Sequence, residues 1–527
     1  MLAEGRHREF FRKGAVGDLL IPGLALSLLA VVLRLLVATR RDGIEVDGIA
    51  YLANARAMFQ EGAAVDAVYP PLYSLILALF VPYWENPEWG ARIVSSVLGG
   101  LWVWPTLWLA RQTTGERVGL ISAFLVAVAP AAVEASTRVL PEALFGLCLT
   151  GHLAALATVL RTRSLVMAGV AGVLGGLATL SRPEGMGYLV LAWGVLLSMP
   201  AFSINPISYR SVLLRIAALS IAWSLVIFPN MLLIKQQTGS WHWSGKMTVT
   251  LRWAESVGSE RPDVVIERVI TEEGAQNAHD GLLGQLRSDP ASPGRRALIN
   301  LHLLDKYSLP ALLHTGGIAL LVLGLVHLRF RRLPEMPEWL LVAAFLPLAG
   351  LLLFVVESRY FVSVVPVVGI ISGIGLARLR RATGEATSAS LSPAAKALLV
   401  VVVLSYLPWI VRPWFREEPA ALEKRAGQWL LQAGDAGTVF LGRSPVIGYY
   451  ARARGIPFAQ RPLDDLLAEG RRAGARFLVA DGARLAGTRP DLLWLVTGAR
   501  VRDDLELAQA MESRDGRRLY IYRLAGR

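Results

Sequence analysis

Apolar runs of about 20 residues recur along the chain with short polar connectors between them, and a run of that length crosses a bilayer as an α-helix. They fall at about 19–39, 91–110, 117–137, 142–160, 165–181, 185–200, 211–234, 310–328, 338–356, 360–379 and 395–412, which predicts about 11 transmembrane helices. A further apolar piece, 71–83, has only about 13 residues and meets Pro82, so it reads as a helix that stays at the surface. Before it lies Arg41–Ser74, neither a span nor an ordinary polar loop. There Asp47, Tyr51 and Asn54 recur at i, i+4 and i+7 and share one helix face. Ile49, Leu52, Met58 and Phe59 give the same segment apolar flanks. The spacing predicts a short amphipathic helix lying in the membrane interface, with Asp47 in the N-cap position. From about Trp414 the periods shorten. Thr438–Gly442, Phe477–Ala480 and Leu519–Leu524 read as strands, and Leu422–Gln432, Leu463–Ala475 and Pro490–Val496 as helices. The fold class expected is an all-α polytopic membrane domain with interfacial helices, residues 1–413, followed by a small soluble α/β domain, residues 414–527.

Composition agrees with a membrane protein. The chain is 54% hydrophobic and 18% charged, with a mean hydropathy of +0.46, whereas soluble domains carry about 25% charged residues. A net charge of +13 would suit nucleic acid, but the Arg clusters sit between apolar runs, where they report orientation instead. No nucleic-acid partner is expected. If 71–83 does not cross and the basic N-terminus (Arg6, Arg8, Arg12, Lys13) is cytoplasmic, every basic connector lands inside. These carry Arg111 and Arg117; Arg161 and Arg163; Arg210 and Arg215; Arg329, Arg331 and Arg332; and Arg378, Arg380 and Arg381. If 71–83 crosses, all of them move outside. Arg40 and Arg41 are the exception to the orientation chosen. The first apolar run reads as an uncleaved span, 382–394 as a short inner linker, and the α/β domain as extracytoplasmic. Cys148 lies in an apolar run, as an inert thiol.

This parity gathers the polar chemistry on the outer side. Asp47, Arg138-Val-Leu-Pro-Glu142, Arg182-Pro-Glu184, the long polar segment 236–309 with Trp241, Trp243 and Lys246, and Glu357-Ser-Arg359-Tyr360 all fall there. Asp47 can be only a helix cap, or a base that takes a proton from an acceptor hydroxyl. Glu142 and Glu184 follow prolines at helix starts, where acids are ordinary. Arg138, Arg182 and Arg359 can anchor at the interface by snorkelling. Arg beside acids on the outer side also suits a phosphate site, because guanidinium binds phosphate bidentately. Arg34 sits within the first span, where ionisable residues are usually paired or functional. The histidines (His152, His242, His279 and His302 among them) lack metal-ligand spacing, and Gly172–Gly176 reads as a helix-packing run. The Trp241/Trp243 pair reads as an interfacial belt, with sugar stacking the alternative.

Taken in order, Asp47-Gly-Ile-Ala-Tyr51, Tyr69-Pro-Pro-Leu-Tyr73, Arg138-Val-Leu-Pro-Glu142, Ser181-Arg-Pro-Glu184 and Glu357-Ser-Arg-Tyr-Phe361 resemble the GT-C membrane glycosyltransferases. The nearest group is glycosyltransferase family 39, which holds the protein O-mannosyltransferases and the lipid A aminoarabinose transferase. The resemblance covers about 20–380 well and the C-terminal domain loosely. It implies a GT-C fold and transfer of a hexosyl or pentosyl unit, with inversion, from a polyprenyl-phosphate sugar donor. The acceptor would be a lipid, a glycan or a protein of the cell envelope, met on the outer face of a bacterial cytoplasmic membrane. It matches Asp47 and Glu142 to the acids of the first two outer loops, as catalytic residues, and Tyr51 to a tyrosine one turn after the first. Two departures stand out: Gly48 replaces the second of two adjacent acids found in the mannosyltransferases, and no Lys precedes Pro70-Pro71 as in the aminoarabinose transferase. Another cation must then hold the phosphate, with Lys246 and Arg359 the candidates. Tyr51, Arg138, Arg182, Glu184, Lys246, Arg359 and Tyr360 are the expected substrate-binding set. No cofactor is expected and no metal ligand is assigned, since a monophosphate leaving group can depart without a divalent metal. The competing class is a transporter or flippase of lipid-linked glycans. Such proteins place ionisable residues at the membrane midplane and show inverted repeats, neither of which is evident here.

Overall fold

The computed structural model describes residues 14–60, 65–80, 83–202, 207–246, 250, 253–254, 257, 289–304, 306, 309–328, 338–382, 391–434, 439–442, 444–458, 461–497 and 502–525. The basic N-terminus, Arg329–Arg332, His279, much of the 236–309 segment and most of the 382–394 linker lie outside them.

The membrane part begins with α1 (Gly14–Ala38), α2 (Val46–Ala57), α3 (Pro71–Phe80), α4 (Pro87–Leu101), α5 (Val103–Thr113), α6 (Glu116–Val128) and α7 (Pro130–Ser136). It continues with α8 (Glu142–Thr162), α9 (Leu165–Ser181), α10 (Gly185–Phe202), α11 (Tyr209–Thr238), α12 (Ser292–Leu303), α13 (Leu309–Val326), α14 (Glu338–Ala343) and α15 (Leu346–Ala349). Two 3-10 turns, Gly350–Leu353 and Ser358–Val364, lead into α16 (Val365–Ala382) and α17 (Pro393–Ile410). The protein is therefore a multi-pass membrane protein. Among the described residues, 6 helical stretches are long and apolar enough to cross, and α6 and α7, bent by 57° at the break before Pro130, form a seventh as one span. Four of the five shorter apolar helices occupy the remaining predicted spans. The fifth is α3, 10 residues long, at the piece expected to stay at the surface.

Burial sorts these helices. The apolar windows of α8 and of Ser358–Leu379 are 89% buried inside the protein, whereas those of α1 and α11 are 22% buried and that of α17 is 17% buried. The first two form the centre of the bundle. The others leave Leu and Val exposed on their outer faces, the pattern of lipid-facing helices. The Gly172–Gly176 run behaves as expected. A Cβ on Gly172 would lie 2.2 Å from the Leu219 carbonyl oxygen, so α9 and α11 meet backbone to backbone. Arg34, fully buried, finds its partner in the backbone. It donates to Ala127 O at 2.8 Å and Val126 O at 3.3 Å, carbonyls left free where α6 stops before Pro130.

A short helix, α18 (Arg412–Phe415), leads to the α/β part, built from α19 (Pro419–Ala433), β1 (Val439–Leu441), α20 (Pro445–Ala451), β2 (Arg454–Ile456), α21 (Leu463–Arg472), β3 (Ala475–Asp481), α22 (Gly482–Thr488), α23 (Trp494–Thr497), β4 (Leu505–Glu512) and β5 (Arg518–Leu524). The sheet order is β2-β1-β3-β5-β4, parallel from β2 to β3 and antiparallel thereafter. Phe477 and Val479 pack with α19 on one face; Leu478 and Ala480 pack with α21, α22 and α23 on the other. A strand covered on both faces must be apolar throughout, which is why Phe477–Ala480 reads so clearly. Three of the expected strands and the α19 and α21 helices are present. β2, β4, α20 and α22 were not expected. In β4, at the sheet edge, only Leu505 is buried, so no hydrophobic alternation marks it.

Candidate active site

The chain enters the site along Arg41–Glu45, which bends at Gly43 and is extended at Glu45. α2 then starts at Val46 with Glu45 at its N-cap, and Asp47 lies inside the first turn. The N-cap expectation for Asp47 is thus corrected by two residues. The carboxylate does not cap its own helix and is free to face other elements. Tyr51, one turn on, is 1% exposed. Asn54, one more turn on, donates to Asp66 O at 3.0 Å and accepts from Asp66 N at 2.9 Å. This pins the returning segment so that Tyr69 stacks edge-on against Tyr51 at 5.2 Å and donates to Asp47 Oδ1 at 3.4 Å.

Two cations reach the other carboxylate oxygen of Asp47. Arg359 Nη1 lies 3.1 Å and Lys246 Nζ 3.4 Å from Oδ2. They arrive from 199 and 312 residues away in sequence. Arg359 is itself held by Glu357 at 2.5 Å and stands 5.4 Å from the Tyr360 ring. Lys246 stands 5.1 Å from the Tyr69 ring. Burial opposes the charge of Asp47, but Lys246, Arg359 and Arg182 outweigh it and hold its carboxyl below the ordinary value. Burial, with Asp47 beside it, pushes the Tyr69 phenol well up, so Tyr69 stays a donor.

Arg182 is the second hub. Pro183 forbids helical geometry in the residue before it. Arg182 is accordingly extended, ends α9, and turns its side chain inward. It pairs with Glu142 at 2.6 Å and with Glu184 at 2.9 Å, and its guanidinium lies 4.7 Å from the Tyr360 ring. Burial works against the charge of Glu184, yet Arg182 prevails and keeps its carboxyl below the usual range. Glu142 is 2% exposed. It sits in the first turn of α8 and meets Arg182 through one oxygen, which makes it a support for Arg182 rather than a group on the wall of the cavity.

Between the two hubs opens a cavity of about 190 Å³. Of the predicted residues, Asp47, Tyr51, Arg182, Glu184, Lys246 and Tyr360 line it, together with Trp243 and the apolar Met186, Pro347, Leu351, Phe354 and Val355. One wall is charged and the other greasy. Arg359 acts through its bond to Asp47. Arg138 is not brought to the cavity: it pairs with Glu134 at 2.5 Å and lies 3.5 Å from Glu45. It therefore stands apart from the candidates that line the cavity. It follows a motif that resembles the family, but the turn after α7 aims it away. Tyr69 and Glu357 lie in the sequence motifs but carry no expected role there, and the Pro347–Val355 wall carries no polar signal a sequence could reveal. Trp241 stacks on Phe228 at 6.3 Å and is 50% exposed, as an interfacial residue would be, whereas Trp243 faces the cavity. His152 hydrogen-bonds Ala171 O at 2.8 Å, a core histidine as expected. Among the described residues, no three His, Cys, Asp or Glu side chains converge as a metal site.

The segment before Asp47 is clamped from two sides. From α4, Arg92 donates to Arg41 O at 2.7 Å and to Gly43 O at 2.5 Å. From the α/β part, Glu418 pairs with Arg41, and Lys424 with Asp42 at 2.8 Å. Gly43 has φ +91°, and a Cβ there would fall 2.6 Å from the Cβ of Ala420. The α/β part thus rests on the segment that delivers the catalytic candidate.

Residues 68–233 match the family described as dolichyl-phosphate-mannose-protein mannosyltransferase. No curated protein sequence matches the chain. The archaeal oligosaccharyltransferase AglB from Archaeoglobus fulgidus, solved with an inhibitory peptide and a dolichol-phosphate, is 14% identical with a TM-score of 0.54, over 94% of this chain and 74% of that one. A further structure of the Archaeoglobus fulgidus oligosaccharyltransferase, with Zn and sulfate, is 13% identical with a TM-score of 0.59, over 95% of this chain and 72% of that one. ArnT from Cupriavidus metallidurans, bound to undecaprenyl phosphate, is 15% identical with a TM-score of 0.57, over 96% of this chain and 99% of that one. The chain has the fold of the GT-C membrane glycosyltransferases.

Proposed function

We propose that this protein is a membrane glycosyltransferase that moves a sugar from a polyprenyl-phosphate carrier to an acceptor of the cell envelope, on the extracytoplasmic side of the cytoplasmic membrane. The observation that carries the reading is the Asp47–Arg359–Lys246 cluster at a cavity with one charged and one apolar wall. A carrier of this kind has a phosphate beside a greasy tail, and the cavity offers cations beside Met186, Leu351, Phe354 and Val355. Related structures bound to dolichol-phosphate and undecaprenyl phosphate support the donor class. A phosphate entering the site competes with Asp47 for Lys246 and Arg359. As the phosphate takes those cations, Asp47 is released and ionised beside the sugar carbon. It then accepts the proton of the acceptor hydroxyl as that oxygen bonds the anomeric carbon on the face opposite the departing phosphate, which inverts the anomeric centre. The cations stabilise the charge that grows on the departing phosphate. Arg182, held by Glu142 and Glu184 and lying over Tyr360, fixes the opposite wall.

The test is direct. Purified protein in lipid nanodiscs, given a polyprenyl-phosphate sugar pool and envelope extract, should release free polyprenyl phosphate and label an acceptor of opposite anomeric configuration. With carboxylates already engaged by Arg and Lys, release should persist in a metal chelator. Vectorial movement of an intact lipid-linked glycan, with no bond cleaved, would instead make the protein a flippase.

A further inference from the structure

A second cleft, of about 890 Å³, opens where the α/β part meets α2 and the start of α4. Its cations are Arg56, Lys424, Arg452 and Arg454. Arg56, Arg452 and Arg454 are exposed and make no ion pair among the described residues. Most guanidiniums elsewhere in the α/β part are neutralised, as in Arg489–Asp491, Arg502–Asp504 and Arg517–Asp481. Three guanidiniums without an ion pair among the described residues thus share this one cleft, Arg56 hydrogen-bonded there to Tyr449. Of the two carboxylates lining it, Glu88 is taken by Arg92 at 2.6 Å and by the Tyr450 hydroxyl at 2.6 Å, and Glu85 stands exposed at the edge. Tyr449 and Tyr450, 5.1 Å apart and at 82° to each other, offer aromatic surface between the cations. Arg452 ends α20 as its C-cap, with a left-handed backbone of φ 50°.

We propose that this cleft binds the acceptor as an acidic glycan, a chain of sugars carrying carboxylate or phosphate groups. Guanidinium groups match those anions bidentately, and the tyrosines offer flat faces to sugar rings. A flat bilayer surface does not enter a concave joint between two parts of a protein, which favours a soluble glycan strand over a lipid headgroup. Arg56 and Asp47 lie on one helix, α2, nine residues apart, so about 14 Å of helix axis separates the cleft from the reacting carboxylate. A strand held here is within a few sugar units of the site. The place of this cleft in the reaction rests on the glycosyltransferase reading, but its binding property is measured separately. Full-length protein in phosphatidylcholine nanodiscs is titrated with tetragalacturonic acid and, as neutral control, maltotetraose. The acidic tetrasaccharide should bind more tightly than the neutral one and weaken with rising salt. Combined Arg56→Gln, Arg452→Asn and Arg454→Gln should lower its affinity at least tenfold. Asn is chosen because it tolerates the left-handed conformation. Should the triple variant fail to fold, Arg454→Gln alone, exposed on an edge strand, should still weaken binding measurably. Asp47→Asn should bind as wild type does, so a failed catalytic reading would leave this result standing. Equal affinity in wild type and variant, or for acidic and neutral chains, would overturn the proposal. So would binding to phosphatidylglycerol vesicles without any binding of the tetrasaccharide, which would assign the patch to the membrane.

Discussion

Asp47 is buried enough for desolvation to oppose its charge, yet its carboxyl lies below the ordinary value because Lys246, Arg359 and Arg182 face it. The sign follows from that balance. The stability its ion pairs confer is present above the ordinary carboxylate value of about 3.9 and is lost as pH falls through the lowered one. If Lys246 is removed, burial gains against the remaining cations and the carboxyl shifts upward. Lys246→Ala should therefore move the acid limb of the pH–kcat/KM profile to higher pH and weaken donor use in the same variant. A profile whose acid limb stays in place would mean that another group titrates. The sequence singled out Asp47 by its helix face and outer-side position and Lys246 and Arg359 as cations able to hold a phosphate, and the structure brings both cations within 3.4 Å of Asp47 Oδ2. It could not show that Arg138 turns toward Glu134, because a residue's direction out of a turn depends on backbone geometry that no spacing encodes.

At the scale of elements, α2 and the bent segment before it decide where the carboxylate stands. Periodicity made α2 legible, since Asp47, Tyr51 and Asn54 share one face and each has its partner there. The clamp on Arg41–Gly43 was not legible, because its other half begins near residue 418. Gly43→Ala tests the clamp. The left-handed φ costs about 1–3 kcal/mol for a non-glycine residue, and the added methyl strikes Ala420. The variant should bind donor while turning over more slowly, and the link between α18 and α19 should become more sensitive to protease. Wild-type turnover and unchanged cleavage would separate the α/β part from the positioning of Asp47.

For the whole molecule, the apolar runs predicted the bundle, including the short α3, because a bilayer sets helix length directly. The sheet was read only in its doubly covered strands. Orientation rests on charge: Arg clusters in the connectors define the inner side if α3 does not cross. On that reading the α/β part, the Asp47 cavity and the acidic-glycan cleft all face outward. A reporter fused at Arg527 should score as extracytoplasmic, and a cytoplasmic score would invert the arrangement.

Asp47 is the proposed base, and Asp47→Asn is the measurement that reaches it most directly. Asn keeps the size of the side chain and can still accept from Tyr69, but it cannot take a proton from a hydroxyl. Loss of a general base lowers rates by about 10²–10⁴-fold. Purified Asp47→Asn, with a thermal unfolding profile showing it folded, should transfer sugar from the polyprenyl-phosphate donor at least a hundredfold (about 10², the lower bound for such a loss) more slowly than wild type. Turnover near the wild-type rate by the folded variant would contradict the account.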